Sequence, residues 1–140
     1  MAERISDVMT PNPQVLPEST TGREAAEAMR ANDIGNVVVT DDDGKLAGIL
    51  TDRDLVVRVI AEGRDPRATR IGDIASRNLA SVAPDDAVGR AVQIMREKAV
   101  RRLPVVEKGK VVGIVSLGDL ARDRDPDSAL ADISAAPPNV

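Results

Sequence analysis

The chain contains one eight-residue pattern twice, as GILTDRDL from Gly48 to Leu55 and as GIVSLGDL from Gly113 to Leu120. Each copy begins with a glycine and a short apolar run and then reaches a hydroxyl residue, which an aspartate follows three positions later. The pairs are Thr51 with Asp54 and Ser116 with Asp119. Recurrence of this kind predicts an internal duplication of one supersecondary unit.

The duplication extends over most of the chain. The segment that begins at Ile5 returns at Ile71, and Met29 returns as Met95 with the same spacing. Later in the repeat TDDDGK becomes VEKGK, one residue shorter, and a one-residue insertion is typical of a turn. The predicted boundaries are 5–63 for the first repeat, 70–124 for the second and 125–140 for a C-terminal tail.

Each repeat has the hydrophobic pattern of a short strand, a helix, a hairpin and a second helix. The first helix of the second repeat, for example, places Val88, Ala91 and Met95 on one face. The second helices are predicted to begin at Thr51 and Ser116, and QVLP and ASVAP predict the short strands. β-Branched runs joined by turn residues predict the hairpins, GNVVVT with LAGIL and RRLPVV with VVGIV. The predicted fold class is α+β, with two pseudo-symmetric β-α-β-β-α repeats packed into one module.

Composition excludes several classes of function. The 140 residues are 42% hydrophobic but include no aromatic residue, no cysteine and no histidine, so the usual nucleophile–histidine sites and zinc ligands are absent. The net charge of −4 argues against nucleic-acid binding. The consecutive acids of TDDDGK lack the alternating spacing of a calcium loop. We expect no enzyme activity, no bound metal and no membrane span, and a cytoplasmic protein.

The hydroxyl–aspartate pairs have two interpretations. In the first, the hydroxyl residue is the N-cap of a helix and the acid three residues later completes a capping box, so that both side chains accept hydrogen bonds from backbone N–H groups at the helix start. The same helix start attracts anions, and its aspartate can accept both hydroxyls of a ribose diol. Capping alone does not explain why the glycine, the apolar strand and the acid recur together, so both interpretations remain open at this point.

The two repeats together resemble tandem CBS domains, the paired arrangement called a Bateman module. The resemblance runs from about Ile5 to Arg122. It rests on the two glycine-to-aspartate elements, 48–54 and 113–119, and on RRLPVV from Arg101 to Val106.

The resemblance implies clefts that hold an adenosyl ligand: AMP, ADP, ATP, S-adenosylmethionine or a dinucleotide, none of them covalently bound. By position, Asp54 and Asp119 would hold ribose hydroxyls, and Thr51 and Ser116 would contact the sugar or the phosphate. Short segments at the front of each repeat, near 10–15 and 76–82, would surround the adenine. The further residues expected around the adenine are Thr10, Val15, Ile49, Ala80 and Ile114.

Arg101 and Arg102 are candidates to meet a phosphate, because the resemblance implies a basic residue there. Alternation along a strand sends their side chains to opposite faces, so at most one faces a given cleft. The first repeat has Gly35 and Asn36 at these positions. We therefore expect two unequal sites, the better one built around Ser116, Asp119 and an arginine.

The sequence thus predicts a non-catalytic regulatory module that senses an adenine nucleotide, forms a homodimer and acts on an unidentified partner protein. The alternative is a structural or interaction module whose clefts bind no ligand and whose hydroxyl–aspartate pairs serve only as helix caps. The alternating charges from Arg122 onward are interpreted as a solvated helix end without chemistry.

Overall fold

The computed structural model describes residues 3–77 and 80–124. The predicted tail, 125–140, lies outside this part, as do residues 78 and 79 of the predicted adenine-flanking segment. No helix within the described ranges is long and apolar enough to cross a membrane.

Helices and strands alternate as the hydrophobic pattern predicts. In the first half they are α1 (Ile5–Val8), β1 (Thr10–Pro11), β2 (Val15–Pro17), α2 (Gly22–Asn32), β3 (Asn36–Thr40), β4 (Leu46–Thr51) and α3 (Asp52–Leu55), which a π-helical turn (Val56–Ile60) extends. In the second half they are a 3-10 turn (Ile71–Asp73), α4 (Val88–Lys98), β5 (Arg102–Glu107), β6 (Lys110–Ser116) and α5 (Leu117–Arg124).

The predicted α+β repeat is confirmed, with small differences at its edges. The two second helices begin one residue later than predicted, because Thr51 and Ser116 stand just before the helical residues. The short strand predicted at ASVAP is a single parallel bridge between Val82 and Val105. The short elements α1 and β1, ahead of the first predicted strand, were not predicted.

The chain forms two compact units that do not follow the order of the repeats. The described residues of the central unit lie within Gln14–Leu79, and those of the composite unit lie within Met1–Pro13 and Ala80–Val140. The front of the first repeat therefore folds with the helices and hairpin of the second. In the same way, the 3-10 turn at the front of the second repeat belongs to the central unit.

The two sheets have matching arrangements. In the central unit β2 lies parallel to β3, and β3 pairs with β4 in antiparallel fashion. Ser76 then bridges Ile49 on the far side of β4. In the composite unit Val82 bridges β5, β5 pairs with β6, and β1 pairs with the far side of β6. Each hairpin is thus flanked by its own repeat's front segment and by the other repeat's.

Each unit has its own aliphatic core. The central core consists of Ala25, Met29, Val37, Val39, Leu50, Leu55, Val59, Ile71, Ile74 and Ala75. The composite core consists of Ile5, Val82, Val88, Ala91, Met95, Leu103, Val105, Val115 and Leu120. The buried positions of α4, Val88, Ala91 and Met95, are the predicted apolar stripe, so the 3.6-residue pattern correctly identified the face of this helix that packs on the sheet.

The glycine of each eight-residue pattern allows a close approach of backbone. A Cβ atom at Gly48 would lie 2.7 Å from the carbonyl oxygen of Ser76. A Cβ atom at Gly113 would lie 2.6 Å from Met9 Sδ and 3.0 Å from the carbonyl oxygen of Thr10. The repeated glycine is therefore explained by the segment from the other repeat that packs directly against it.

We expect Gly48→Ala to lower the free energy of unfolding by about 1–3 kcal/mol, because the methyl group would collide with backbone rather than with a flexible side chain. Urea denaturation measures this change. Gly89→Ala, in α4, is the matched control: nothing lies within 4 Å of its Cβ position. It should leave stability unchanged or raise it by up to about 1 kcal/mol. A Gly48→Ala variant as stable as wild type would contradict the steric explanation.

Candidate ligand-binding site

The first hydroxyl–aspartate pair forms a complete capping box at the start of α3. Thr51 Oγ1 accepts a hydrogen bond from the backbone N–H of Asp54 at 3.1 Å. Asp54 Oδ2 accepts one from the backbone N–H of Thr51 at 2.9 Å. Two donors that the helix itself leaves unpaired are thereby satisfied.

The second pair repeats this geometry at the start of α5. Ser116 Oγ accepts from the backbone N–H of Asp119 at 3.1 Å, and Asp119 Oδ2 accepts from the backbone N–H of Ser116 at 2.9 Å. The capping interpretation is therefore confirmed for both pairs. It does not exclude the ligand interpretation, because each cap occupies only one carboxylate oxygen.

An arginine one turn further along the helix lies beside the remaining oxygen of each aspartate. Asp54 Oδ1 is 3.8 Å from Arg58 Nε, and Asp119 Oδ1 pairs with Arg122 Nη2. The side chains of the aspartates are 14% and 7% exposed, respectively. A carboxylate oxygen can accept more than one hydrogen bond, so each aspartate keeps capacity for a further donor.

Arg122, interpreted from the sequence as part of a solvated helix end without chemistry, is 40% exposed and also forms an ion pair with Asp119, which was not predicted from the sequence. Asp119 is the most enclosed carboxylate among the candidate site residues. Arg58 forms the corresponding ion pair with Asp54. The i,i+3 and i,i+4 spacings on helices are the signal that could have found both pairs from the sequence.

The candidate residues separate into two sets, one in each unit. The composite unit contains Thr10, Ala80, Arg101, Arg102, Ile114, Ser116 and Asp119, and the central unit contains Val15, Ile49, Thr51 and Asp54. The sequence did not indicate that Thr10, at the front of the first repeat, belongs with the aspartate of the second.

In the composite unit Thr10, Ile114 and Ser116 lie along the edge of β6 that pairs with β1, whereas Ala80 packs against the core. Thr10 lies opposite Ile114 and Pro11 opposite Gly113, and the strand then leads directly to Ser116. Thr10 is exposed and Ile114 is half-buried. Backbone groups, an aliphatic side chain and a capped carboxylate therefore occur in sequence along one strand edge.

The central unit has the equivalent edge on β4. The backbones of Ile49 and Ser76 exchange two hydrogen bonds of 3.0 Å, and β4 leads on to Thr51. Val15, Val38 and Ile49 lie side by side across the sheet, and Val15 is exposed. The same chemical elements recur, but of the three aliphatic residues only Val15 is exposed, whereas Val38 and Ile49 are buried.

The two candidate arginines lie in different environments, although β5 begins at Arg102 and Arg101 precedes the strand. Arg102 is the register partner of Ser116 across the hairpin, and directly opposed residues project from the same face of a sheet. Arg101 instead lines a groove with Leu117 and Leu120. In the central unit the register partner of Thr51 is Asn36, so the position of Arg102 carries no charge there.

The chain thus contains two α+β repeats, and in each of them a capped aspartate lies beside a paired strand edge. These features define a class of tandem-repeat modules. The family model of the CBS domain matches residues 5–61 and 71–124. The chain belongs to the CBS domain family, and the resemblance inferred from the sequence is confirmed.

Curated relatives match along most of their own length. The chain is 37% identical over 134 residues to the CBS domain-containing protein YhcV of Bacillus subtilis, covering 93% of this chain and 94% of the relative. It is 36% identical over 116 residues to Hypoxic response protein 1 of Mycobacterium tuberculosis, covering 83% and 81%.

Solved structures show the same fold. The crystal structure of Hypoxic Response Protein I with two coordinated zinc ions matches with a TM-score of 0.77 and 35% identity, over 85% of this chain and 97% of that one. A CBS domain pair in complex with 5′-methylthioadenosine and S-adenosyl-L-methionine matches with a TM-score of 0.76 and 25% identity, over 89% and 98%.

The zinc ions of the first of these structures have no evident counterpart here. This chain contains neither histidine nor cysteine. Within residues 3–77 and 80–124, no three acidic side chains come together in a way that could hold a metal ion.

Proposed function

We propose that this chain is a non-catalytic regulatory module that binds an adenosyl ligand, with adenine nucleotides as the first candidates. The observation that carries the proposal is the capped aspartate at the end of an aliphatic strand edge, present once in each unit. Membership of the CBS family supports it, as does the similar CBS pair that binds S-adenosylmethionine and methylthioadenosine.

The residues of the composite unit suit the parts of such a ligand. Asp119 would accept hydrogen bonds from the ribose hydroxyls while its cap holds the carboxylate in place. Ile114 and the backbone around Thr10 would contact the adenine, which needs apolar surface and main-chain hydrogen bonds. Val15, Ile49, Thr51 and Asp54 would act in the same way in the central unit.

The two units should differ in their preference for phosphate. Arg102 projects from the same face of the sheet as Ser116, whereas Asn36 takes that place beside Thr51. A guanidinium forms charge-assisted hydrogen bonds with phosphate oxygens, and an amide does so only weakly. The composite unit is therefore the proposed site for a charged nucleotide.

One observation favours the alternative of a module without ligand. Both oxygens of Asp119 already have partners, one in the cap and one at Arg122, and the residue is nearly buried. A purely structural role would need nothing more. For a ligand to bind, Asp119 must accept further hydrogen bonds while it keeps its contacts with the cap and with Arg122. The two hypotheses therefore predict different effects on ligand binding for substitutions that preserve the cap.

Thermal denaturation with AMP, ADP, ATP, S-adenosylmethionine and methylthioadenosine tests the proposal. A ligand at one hundred times its Kd stabilises the folded state by about 2.7 kcal/mol, and we expect at least one to raise the Tm by roughly several degrees. Asp119→Asn keeps an oxygen for the cap but removes the charge, and should weaken binding more than Asp54→Asn. Unchanged Tm values with every ligand would instead support the structural alternative.

A second experiment compares Arg102→Gln with the neighbouring Arg101→Gln as a control of equal charge. Arg102→Gln should weaken ATP binding about tenfold, corresponding to about 1.4 kcal/mol, and leave methylthioadenosine binding unchanged because that ligand has no phosphate. Arg101→Gln should affect neither. Isothermal titration calorimetry gives both affinities. Equal losses in the two variants would indicate a general effect of charge rather than a phosphate contact.

We propose in addition that the protein is a homodimer. In the central unit Val56 and Ile60 on the π-helical turn are 55% and 68% exposed, and adjacent exposed apolar side chains indicate an interaction surface. Sedimentation velocity should give twice the mass of one chain. Ile60→Asp should give the monomer, whereas Val15→Asp, at another exposed valine of this unit, should not. A monomeric wild type would refute the dimer.

A further inference from the structure

Arg58 connects two parts of the central unit that are distant in the sequence. Arg58 Nε is 3.8 Å from Asp54 Oδ1, and Arg58 Nη1 donates a hydrogen bond to the carbonyl oxygen of Ile74 at 2.9 Å. The side chain of Arg58 is 47% exposed. One guanidinium therefore contacts both the capped aspartate and the main chain of a residue sixteen positions further along the chain.

The carbonyl of Ile74 belongs to the segment that completes the edge of β4. Ile74 is 2% exposed and lies in the core of the central unit. Two residues later, the backbones of Ser76 and Ile49 exchange their two hydrogen bonds of 3.0 Å. In the proposed function this edge flanks the adenine, and Asp54 accepts the ribose hydroxyls. Arg58 thus contacts the main chain on the adenine side and the carboxylate on the ribose side.

The helix cap by itself holds only one oxygen of Asp54. Oδ2 accepts the hydrogen bond from the backbone N–H of Thr51, and a carboxylate held at one oxygen can still turn about that contact. The charge of Arg58 beside Oδ1 opposes this turning. At 3.8 Å the distance from Nε to Oδ1 is longer than a hydrogen bond. The Oδ1 atom is therefore held in place and can still accept hydrogen bonds from a ligand.

This arginine is not part of the repeated pattern, because the residue that corresponds to Arg58 in the second repeat is Asp123. The arginine that pairs with Asp119 comes from three positions along the helix rather than four. Arg58 also lies in the π-helical turn, whereas α5 is a regular α-helix. Turns of this kind are frequent at functional sites. These differences indicate a role that is specific to the central unit.

We propose that Arg58 is a positioning residue of the central unit. It orients the free oxygen of Asp54 toward a ribose diol and holds this carboxylate at a fixed distance from the segment that flanks the adenine. The inference rests on the proposed function, because it requires an adenosyl ligand at Asp54. Arg58 contacts no ligand atom in this role. Its effect is on selectivity, since a carboxylate that is free to turn distinguishes a diol less well from a single hydroxyl.

Titration with adenosine and with 2′-deoxyadenosine, followed by NMR, tests this role. The amide signal of Ile49 reports the central unit and that of Ile114 reports the composite unit, so one sample gives a Kd for each. We expect wild type to bind adenosine about tenfold more tightly than 2′-deoxyadenosine at Ile49, the effect of one charge-assisted hydrogen bond. Arg58→Gln should reduce this ratio to about threefold or less at Ile49 and leave it unchanged at Ile114.

Arg64→Gln is the matched control. Arg64 is 46% exposed and lies 3.9 Å from Glu62, so this variant loses an ion pair of nearly the same length and exposure away from Asp54. It should keep the wild-type ratio. In an Asp54→Asn background, Arg58→Gln should lower the ratio no further, because Arg58 acts through that carboxylate. Nearly half of the Arg58 side chain is exposed, so Arg58→Gln should remain folded.

The possible outcomes separate this inference from the proposed function. If wild type binds neither nucleoside at Ile49, the proposed function of the central unit fails and the inference fails with it. If wild type binds adenosine but Arg58→Gln weakens both nucleosides equally, Arg58 only stabilises the fold and the inference alone is overturned. It is also overturned if wild type binds the two nucleosides equally, or if Arg64→Gln lowers the ratio as much as Arg58→Gln does.

Discussion

The close packing of backbone against Gly48 and Gly113 is the contact on which the rest of the architecture depends. At each glycine a segment from the other repeat lies where a Cβ atom would otherwise stand. This contact completes each hairpin on its outer side, and it joins the front of one repeat to the body of the other. At Gly48 the nearest atom is a main-chain oxygen, so neighbouring side chains cannot relieve a larger residue by changing rotamer; at Gly113 the nearest atom is Met9 Sδ, and the carbonyl oxygen of Thr10 follows. Aliphatic cores of the same composition would not be sufficient for these segments to pack against the hairpins. The glycines are also required.

The helix caps depend on the same strands. Each strand runs from its glycine to the hydroxyl residue that begins the next helix, so the close approach and the cap lie within one short stretch of chain. The cap sets the orientation of an aspartate at the point where the strand edge ends. The hydroxyl–aspartate pair is therefore a structural element first, and in the proposed site its carboxylate would already be held in position before a ligand binds. Such preorganisation reduces the ordering cost of binding.

The two units repeat the same backbone plan but differ in charge. Arg102 beside Ser116 has Asn36 as its counterpart beside Thr51, and the aspartate of the composite unit is the more enclosed of the two. Duplication preserved the interactions that maintain the fold, whereas the residue that would distinguish a phosphate from an uncharged ligand changed between copies. An asymmetry of this kind is what a module with two sites of unequal preference requires.

Much of the local structure was predictable because its causes are local. The spacing of Ala91 and Met95 identified the buried face of α4, and the Ser116–Asp119 spacing identified a helix cap. The sequence also predicted that Arg101 and Arg102 face different environments, although Arg101 precedes β5. The pairing of Arg122 with Asp119 was missed, although its helical spacing was visible in the sequence. The groove beside Arg101 was missed because it forms only where α4 and α5 pack side by side.

The repeat, the main helices and hairpins, the aliphatic character of the cores and the two capped aspartates follow from the sequence alone, since periodicity, turn chemistry and capping act over a few residues. Which segments share a unit became clear from the tertiary fold. Thr10 meets Ile114 and Ser76 meets Ile49 because backbone edges pair wherever packing brings them together. Main-chain hydrogen bonds carry almost no side-chain signature, so the exchange of front segments between the repeats is not visible in the pattern of residues.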